Sequence, residues 1–584
     1  MTNPLPRRAA PPLALAMALA IASFAAALRA DGAFPAPATF AKAAVAADSA
    51  VASAVGADVL RAGGNAVDAA VATALALGVV HPESSGIGGG GFLVLWRAAD
   101  KTATTLDFRE TAPAAASHDM YIVDGAPRGD LSAAGGLAVA VPGEVAGLFE
   151  AHRAWGKLPW KKLVAPAVRL ATAGFAIDPA LAQAIADRKE DLAKSPELKA
   201  LYLRADGTPR AAGETVKNAA LGKTLARIAA AGRAGFYEGA IAAELARAVT
   251  AAGGVLTAAD LAAYAPKVRA ALHGTYRGAD VYTMPPPSSG GVALLEALAL
   301  LEKRDLAALG FGSSRYYHAV IEAMKHAFAD RAAYLGDTDF VTVPVATMLS
   351  PAYATALAAR IDAKAHPPAW YGGAAAGLLP PPPKPTDAVP DHGTTHLAVV
   401  DAEGNVAALT TTVNLGFGAK LVGGTTGVLL NDEMDDFAIR PGVPNAFGLI
   451  QSENNSIAPG KRPLSSMTPV VVVRGGAPVF TAGGAGGPLI ISSVLEATLA
   501  VLDFGKDPMA ALGAPRVHHQ WLPDALLVEA DVPADVTEAL AKMGHVVKPL
   551  PFPSVVQAIT IDPATGVRSA ASDPRKRGGA PAGF

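Results

Sequence analysis

The 584-residue chain contains no cysteine, which excludes disulfides, thiolate metal sites and a cysteine nucleophile. Charge is sparse: Asp, Glu, Lys and Arg make up 17% of the residues and the formal net charge is −2. The chain therefore lacks the basic footprint of a nucleic-acid binder, while small polar or zwitterionic substrates stay open. After the N-terminal segment no apolar stretch is long enough to span a bilayer. The Gly-x-Ser-x-Gly elbow of many serine hydrolases is missing, and there is no internal repeat. Hydrophobic residues, largely alanine, reach 51%, enough for either two large lobes or one large composite domain at this length.

The N-terminus carries Arg7 and Arg8, then an apolar stretch from Leu13 to Leu28, then small residues with Ala25-x-Ala27 and Ala30 as cleavage positions. Residues 1–30 read as a removable signal peptide and predict a periplasmic or secreted protein, since the stretch is short for a membrane anchor. A bare arginine pair is weak evidence for twin-arginine export. Apolar spacing predicts helices over about 40–80, broken at Gly63-Gly64-Asn65, and a buried strand at Phe92–Trp96. Helix dominates about 140–265. In the helix around Ile321–Tyr334, Glu322, Lys325, His326, Asp330 and Arg331 read as a solvated face or packing ion pairs. Residues 367–390, rich in Pro, Gly and Ala, read as an exposed, poorly ordered linker. Two strands follow, His396–Val400 and Val406–Val413, around a turn at Asp401–Asn405, and a similar pair flanks Gly475-Gly476. The fold class is therefore mixed α/β, with helices packed on sheets, helix-rich before the linker and sheet-rich after it.

Several apparent motifs fail on context. Gly86-x-Gly88-x-x-Gly91 follows a helix and precedes a strand, the reverse of a dinucleotide-binding turn. Gly222-Lys223-Thr224 has Lys217 where a P-loop needs its first glycine. His392, His396, His518 and His519 lack acidic or cysteine neighbours and read as polar or core histidines rather than metal ligands. The segment Asp391-His392-Gly393-Thr394-Thr395-His396 is more informative, because a threonine stands where the linker meets a strand. Threonine is a poor nucleophile unless a base stands beside it, and a chain cut that makes it N-terminal lets its own α-amine take the hydroxyl proton. Alone, a Thr-Thr pair reflects only β-propensity. In the next strand, however, Thr410, Thr412 and Asn414 alternate onto one face, and a hairpin lays that face beside Thr394. Further on come Glu433 and Asp436, the hydroxyls of Ser465 and Ser466, and the glycine run Gly483–Gly487, whose bare amides can approach a ligand.

From Gly63–Ala70 to Ala571–Arg575, the chain after the signal segment resembles the γ-glutamyltransferase family. The resemblance is carried by His81–Gly91, Asp107–Glu110, Pro286–Gly291, Ala327–Arg331, Thr394–His396, Asn431–Phe437, Lys461–Met467 and Ala514–Trp521. It implies an N-terminal-nucleophile hydrolase, an αββα sandwich. One precursor would cut itself between Gly393 and Thr394 into a large subunit (31–393, ending in the 367–393 linker) and a small subunit (394–584) that remain together. It implies Thr394 as nucleophile and Thr412 as the supporting hydroxyl. Arg109 would bind the substrate α-carboxylate with Ser465 and Ser466; Asn414, Glu433 and Asp436 would hold the α-amine; Gly486 and Gly487 would form the oxyanion hole. An arginine fork and carboxylates suit a γ-glutamyl group on chemical grounds as well. The implied reaction transfers the acyl group of glutathione or other γ-glutamyl compounds to water or to an amino-acid or peptide amine, with no cofactor and no metal. Two departures stand out: Gly484-Ala485 replaces a frequent Ser-Pro, and Phe447 stands in the segment Pro441–Ser452 where many relatives place tyrosine. The alternatives are a cephalosporin (glutaryl) acylase of the same family and a non-catalytic periplasmic binding protein.

Overall fold

A computed structural model describes residues 35–379 and 393–584. The expected signal peptide (1–30) and residues 380–392 of the expected linker, His392 among them, lie outside the described residues.

Two seven-stranded antiparallel sheets form the centre. In spatial order the first contains Ala38–Phe40, Arg568–Ser572, Val555–Ile561, Ala477–Ala485, Val470–Arg474, Ala279–Thr283 and Leu272–Tyr276. The second contains Ala582–Gly583, Ala44–Ala47, Gly393–Val400, Val406–Asn414, Gly90–Arg97, Thr102–Phe108 and Lys267–Ala270. Each sheet mixes strands from before and after the linker, so the chain is one composite domain rather than two lobes.

Strand alternation builds the layers. Ala398, Val400, Val406 and Ala408 face the first sheet, in one core with Val470–Val473 and the helices Ser289–Leu301, Ser314–Tyr334 and Leu489–Leu502. Leu397, Val399, Ala407 and Leu409 face the other way, against Ala50–Arg61 and Ala66–Val80. The result is the αββα order that the family resemblance implies. By the same period of two, Thr394 and Thr412 fall on the face between the sheets.

Two sequence expectations need correction. The Ser314–Tyr334 helix has no solvated face: Glu322, Lys325, His326, Asp330 and Arg331 are all buried. The packing-ion-pair reading holds for part of it, since Lys325 Nζ lies 3.8 Å from Glu322 Oε1. Residues 367–379 are folded rather than a poorly ordered linker. Tyr371 donates to Glu322 at 2.9 Å, Gly372 N to His326 Nδ1 at 3.1 Å and Gly373 N to Asp330 Oδ1 at 2.7 Å. The polar side chains of the helix are thus the partners that hold this segment, a pairing that local spacing does not reveal.

Candidate active site

The hairpin of Gly393–Val400 and Val406–Asn414 sets Thr394 directly opposite Thr412, with a bulge between Gly393 and Thr394. The Thr412 hydroxyl donates to Gly393 O at 2.8 Å, while its oxygen accepts from Asn414 N at 2.9 Å. Its one hydrogen is therefore used, so the 3.0 Å contact between the two threonine hydroxyls has Thr394 as donor. A Cβ on Gly393 would stand 2.4 Å from Leu415 O, so the close approach of the two strand ends requires glycine there. Behind Thr394, the hydroxyl of Thr395 donates to Asp48 Oδ2 at 2.6 Å, tying the strand end to the edge of the neighbouring Ala44–Ala47 strand.

Arg109 follows the Thr102–Phe108 strand and is 1% exposed. Its Nη1 donates to Glu433, its Nη2 to Asp436, and its Nε to Pro463 O at 3.2 Å. Glu433 and Asp436 lie on one 3-10 turn, Glu433–Asp436, whose first amide donates to Asn431 Oδ1 at 3.0 Å. Burial pushes both carboxyls above the usual range, with the Arg109 guanidinium opposing it. Burial also pushes neighbouring Glu110 upward, with the Arg109 guanidinium opposing it. Asn414 has φ +77° and donates through Nδ2 to Asp432 O at 3.0 Å, the residue just before that turn.

Ser465 is held through its backbone: its carbonyl accepts from Ser289 N at 2.7 Å and from Ser289 Oγ at 2.6 Å. Ser466 Oγ accepts from Arg331 Nη2 at 3.4 Å. The Gly486–Gly487 turn joins the Ala477–Ala485 strand to the Leu489–Leu502 helix, with φ +133° and +56°. Phe447 covers Gly487: a Cβ there would lie 2.5 Å from the ring.

These groups converge. A small cavity is lined by Arg109, Thr394, Thr412, Asn414, Glu433, Asp436, Ser465, Ser466 and Gly487, together with Phe447, Met467 and Ile490. Of the predicted site residues, Gly486 stands one residue back in the turn and does not line it. Sequence reasoning missed Glu110 and Arg331 as neighbours of the site; both stood inside the quoted motifs, but nothing in their spacing separated them from structural charges. His396 is buried with Nδ1 2.8 Å from Thr410 Oγ, and His518 and His519 are buried as well. Among the described residues, His318, Glu322 and His545 form one group of metal-ligand type. His318 Nδ1 and His545 Nε2 already pair at 2.8 Å, and Lys325 supplies the cation beside Glu322.

Two antiparallel sheets between helical layers, with a threonine at a strand start between them, define the N-terminal-nucleophile hydrolase class. The sequence model of the gamma-glutamyltranspeptidase family matches residues 52–583, and the chain belongs to that family. It is 41% identical over 541 residues to the glutathione hydrolase proenzyme of Escherichia coli (strain K12), covering 92% of this chain and 91% of that protein. It is 38% identical over 540 residues to the glutathione hydrolase proenzyme of Bacillus subtilis (strain 168), covering 91% and 89%. Among solved structures, the cephalosporin acylase from Bacillus halodurans superposes with a TM-score of 0.82 at 27% identity, covering 94% of this chain and 97% of that one. The gamma-glutamyltranspeptidase of Helicobacter pylori superposes with a TM-score of 0.53 at 40% identity, covering 54% and 90%.

Proposed function

We propose that the protein is a γ-glutamyltransferase and glutathione hydrolase that matures by cutting itself between Gly393 and Thr394. The observation that carries the reading is the cavity that joins Thr394 and Thr412 to Arg109, Glu433 and Asp436. In the precursor, the Thr412 hydroxyl on Gly393 O polarises the carbonyl that Thr394 Oγ would attack. An N-to-O acyl shift would give an ester, and water would release residues up to Gly393 as a large subunit. The new α-amine of Thr394 would then serve as base, and Thr412, freed from Gly393 O, would turn its hydrogen to Thr394 Oγ.

In turnover, Thr394 Oγ attacks the γ-glutamyl amide, its amine carries the proton to the leaving amine, and the Gly486 and Gly487 amides receive the oxyanion. Water or an acceptor amine releases the acyl-enzyme. At the far end of the acyl group, Glu433, Asp436 and Asn414 take the α-amine, while Arg109, Ser465 and Ser466 take the α-carboxylate. Without substrate, Arg109 is paired to Glu433 and Asp436, so a zwitterion that enters this network would exchange one set of ion pairs for another rather than meet bare charges.

The cephalosporin-acylase alternative shares the fold, as the Bacillus halodurans superposition illustrates. Against it stand both Glu433 and Asp436, which a glutaryl group without an amine would leave unmatched. Export rests on residues 1–30. Among the described residues no helix is long and apolar enough to cross a membrane. The test is a rate comparison on purified protein. A γ-glutamyl anilide and glutathione should be cleaved, and an added dipeptide should collect part of the acyl group. A glutaryl anilide cleaved faster than the γ-glutamyl one would favour the acylase instead.

A further inference from the structure

Arg331 is 1% exposed on the Ser314–Tyr334 helix, directly behind the two serines of the cavity. Its Nε donates to Ser289 Oγ at 2.9 Å, and Ser289 in turn donates to Ser465 O at 2.6 Å. Its Nη2 donates to Ser466 Oγ at 3.4 Å. Its Nη1 is buried without a partner, and among the described residues it makes no ion pair with a carboxylate. A buried guanidinium stays charged, and burying it without a counter-ion is costly. Burial pulls this group down to about 10, and the only charge that opposes it is Asp436. Asp436 is already engaged by Arg109, so it does not discharge the imbalance.

The serines point to what does. Ser466 Oγ accepts from Arg331 and Ser465 Oγ accepts from Met467 N at 3.2 Å. Among the described residues neither hydroxyl hydrogen has an acceptor, and both serines line the cavity. Two hydroxyls with an acceptor side occupied and their hydrogens unspent call for a group that only accepts, and a cation stands behind them. That combination selects a carboxylate over an amine or an amide.

We infer that Arg331 is a positioning and specificity residue: it orients Ser465 and Ser466 as donors, and the substrate's own carboxylate is the anion it lacks. The inference rests on the proposed activity and adds a second arginine to its carboxylate side. It also divides the cavity, with Arg331 and the serines reading the carboxylate and Asp436 reading the amine.

Three amide substrates sharing one leaving group test it: γ-glutamyl, glutaryl (no amine) and 4-aminobutanoyl (no carboxylate). Arg331→Gln should raise KM about 10- to 100-fold on the first two, the usual span for a lost charge-assisted hydrogen bond. kcat should change far less, and KM for the 4-aminobutanoyl amide should stay within about 2-fold. Arg331→Lys, which keeps the charge but loses the fork, should recover part of the loss on the carboxylate-bearing pair only, and serves alone if the glutamine variant fails to fold. Equal loss on all three substrates, or no change on any, overturns the inference. Wild-type protein inactive on both carboxylate-bearing amides overturns the proposed function itself.

Discussion

At the scale of single residues, the site works through side chains that hold one another before any substrate arrives. Asp436 shows what this means for specificity. Its carboxylate is tied to Arg109 and lies against Asn445, whose Nδ2 is 3.4 Å from Oδ1. Removing one member of a buried charge pair costs about 2–5 kcal/mol. Asp436→Asn is expected to lower kcat/KM on a γ-glutamyl amide accordingly, and on a glutaryl amide at least about 10-fold less, because Arg109 keeps Glu433 and no amine has to be met. Equal losses on both substrates would show that Asp436 only holds Arg109. Gly393 is the second such residue: Gly393→Ala places a Cβ against Leu415 O and should leave the precursor uncut, which a denaturing gel reports directly. Thr394, Thr412 and Asn414 were legible in the sequence because a two-residue period and a hairpin turn are local facts. Arg331 was not legible, since its role depends on which loop packs over a helix that is buried from Tyr316 to Tyr334.

At the scale of elements, the segment 441–452 reaches the cavity through Phe447. Asn445 Oδ1 accepts from Phe447 N at 3.0 Å and Leu449 N at 3.2 Å, and Gln520 Nε2 donates to Gly448 O at 3.1 Å. The Phe447 side chain contributes packing only. A phenolic oxygen at this position would share the cavity with Asn414. A neutral hydrogen bond contributes about 0.5–1.5 kcal/mol, enough to change the closed fraction several-fold. Phe447→Tyr should therefore raise the ratio of transfer to hydrolysis with a dipeptide acceptor. An unchanged ratio together with unchanged protease sensitivity of the segment would mean that the hydroxyl latches nothing. Composition identified the strand pair that follows the linker but misjudged 367–379, where low periodicity conceals hydrogen bonds to a distant helix.

At the scale of the whole molecule, both sheets interleave strands from the two sides of Gly393, so a cut there severs one bond and no layer. The two fragments are expected to co-elute on gel filtration and to separate only in denaturant. The buried acids give the fold a pH dependence. Glu144, from the part before the linker, accepts from Thr411 Oγ at 2.7 Å, and burial pushes its carboxyl up to about 8. A folded-state pKa raised above the unfolded value stabilises below the ordinary Glu range, and that contribution is lost as pH rises through about 8. Glu496 behaves in the same way. Melting temperature should fall between pH 6 and pH 9 in the wild type and fall less in Glu144→Gln. Parallel curves would remove Glu144 from the explanation. The layer order was accessible from the family resemblance, whereas the threading of both halves through both sheets depends on non-local pairing that no local pattern carries.

The central claim is that Thr394 becomes a chain end and does the chemistry, and N-terminal sequencing of the purified protein tests it most directly. The account predicts two fragments, the smaller beginning Thr394-Thr395-His396, and for Thr394→Ala a single uncut, inactive chain. A Thr394→Ala protein cut at the same bond, or a wild-type protein that turns over γ-glutamyl substrates as one intact chain, would contradict it.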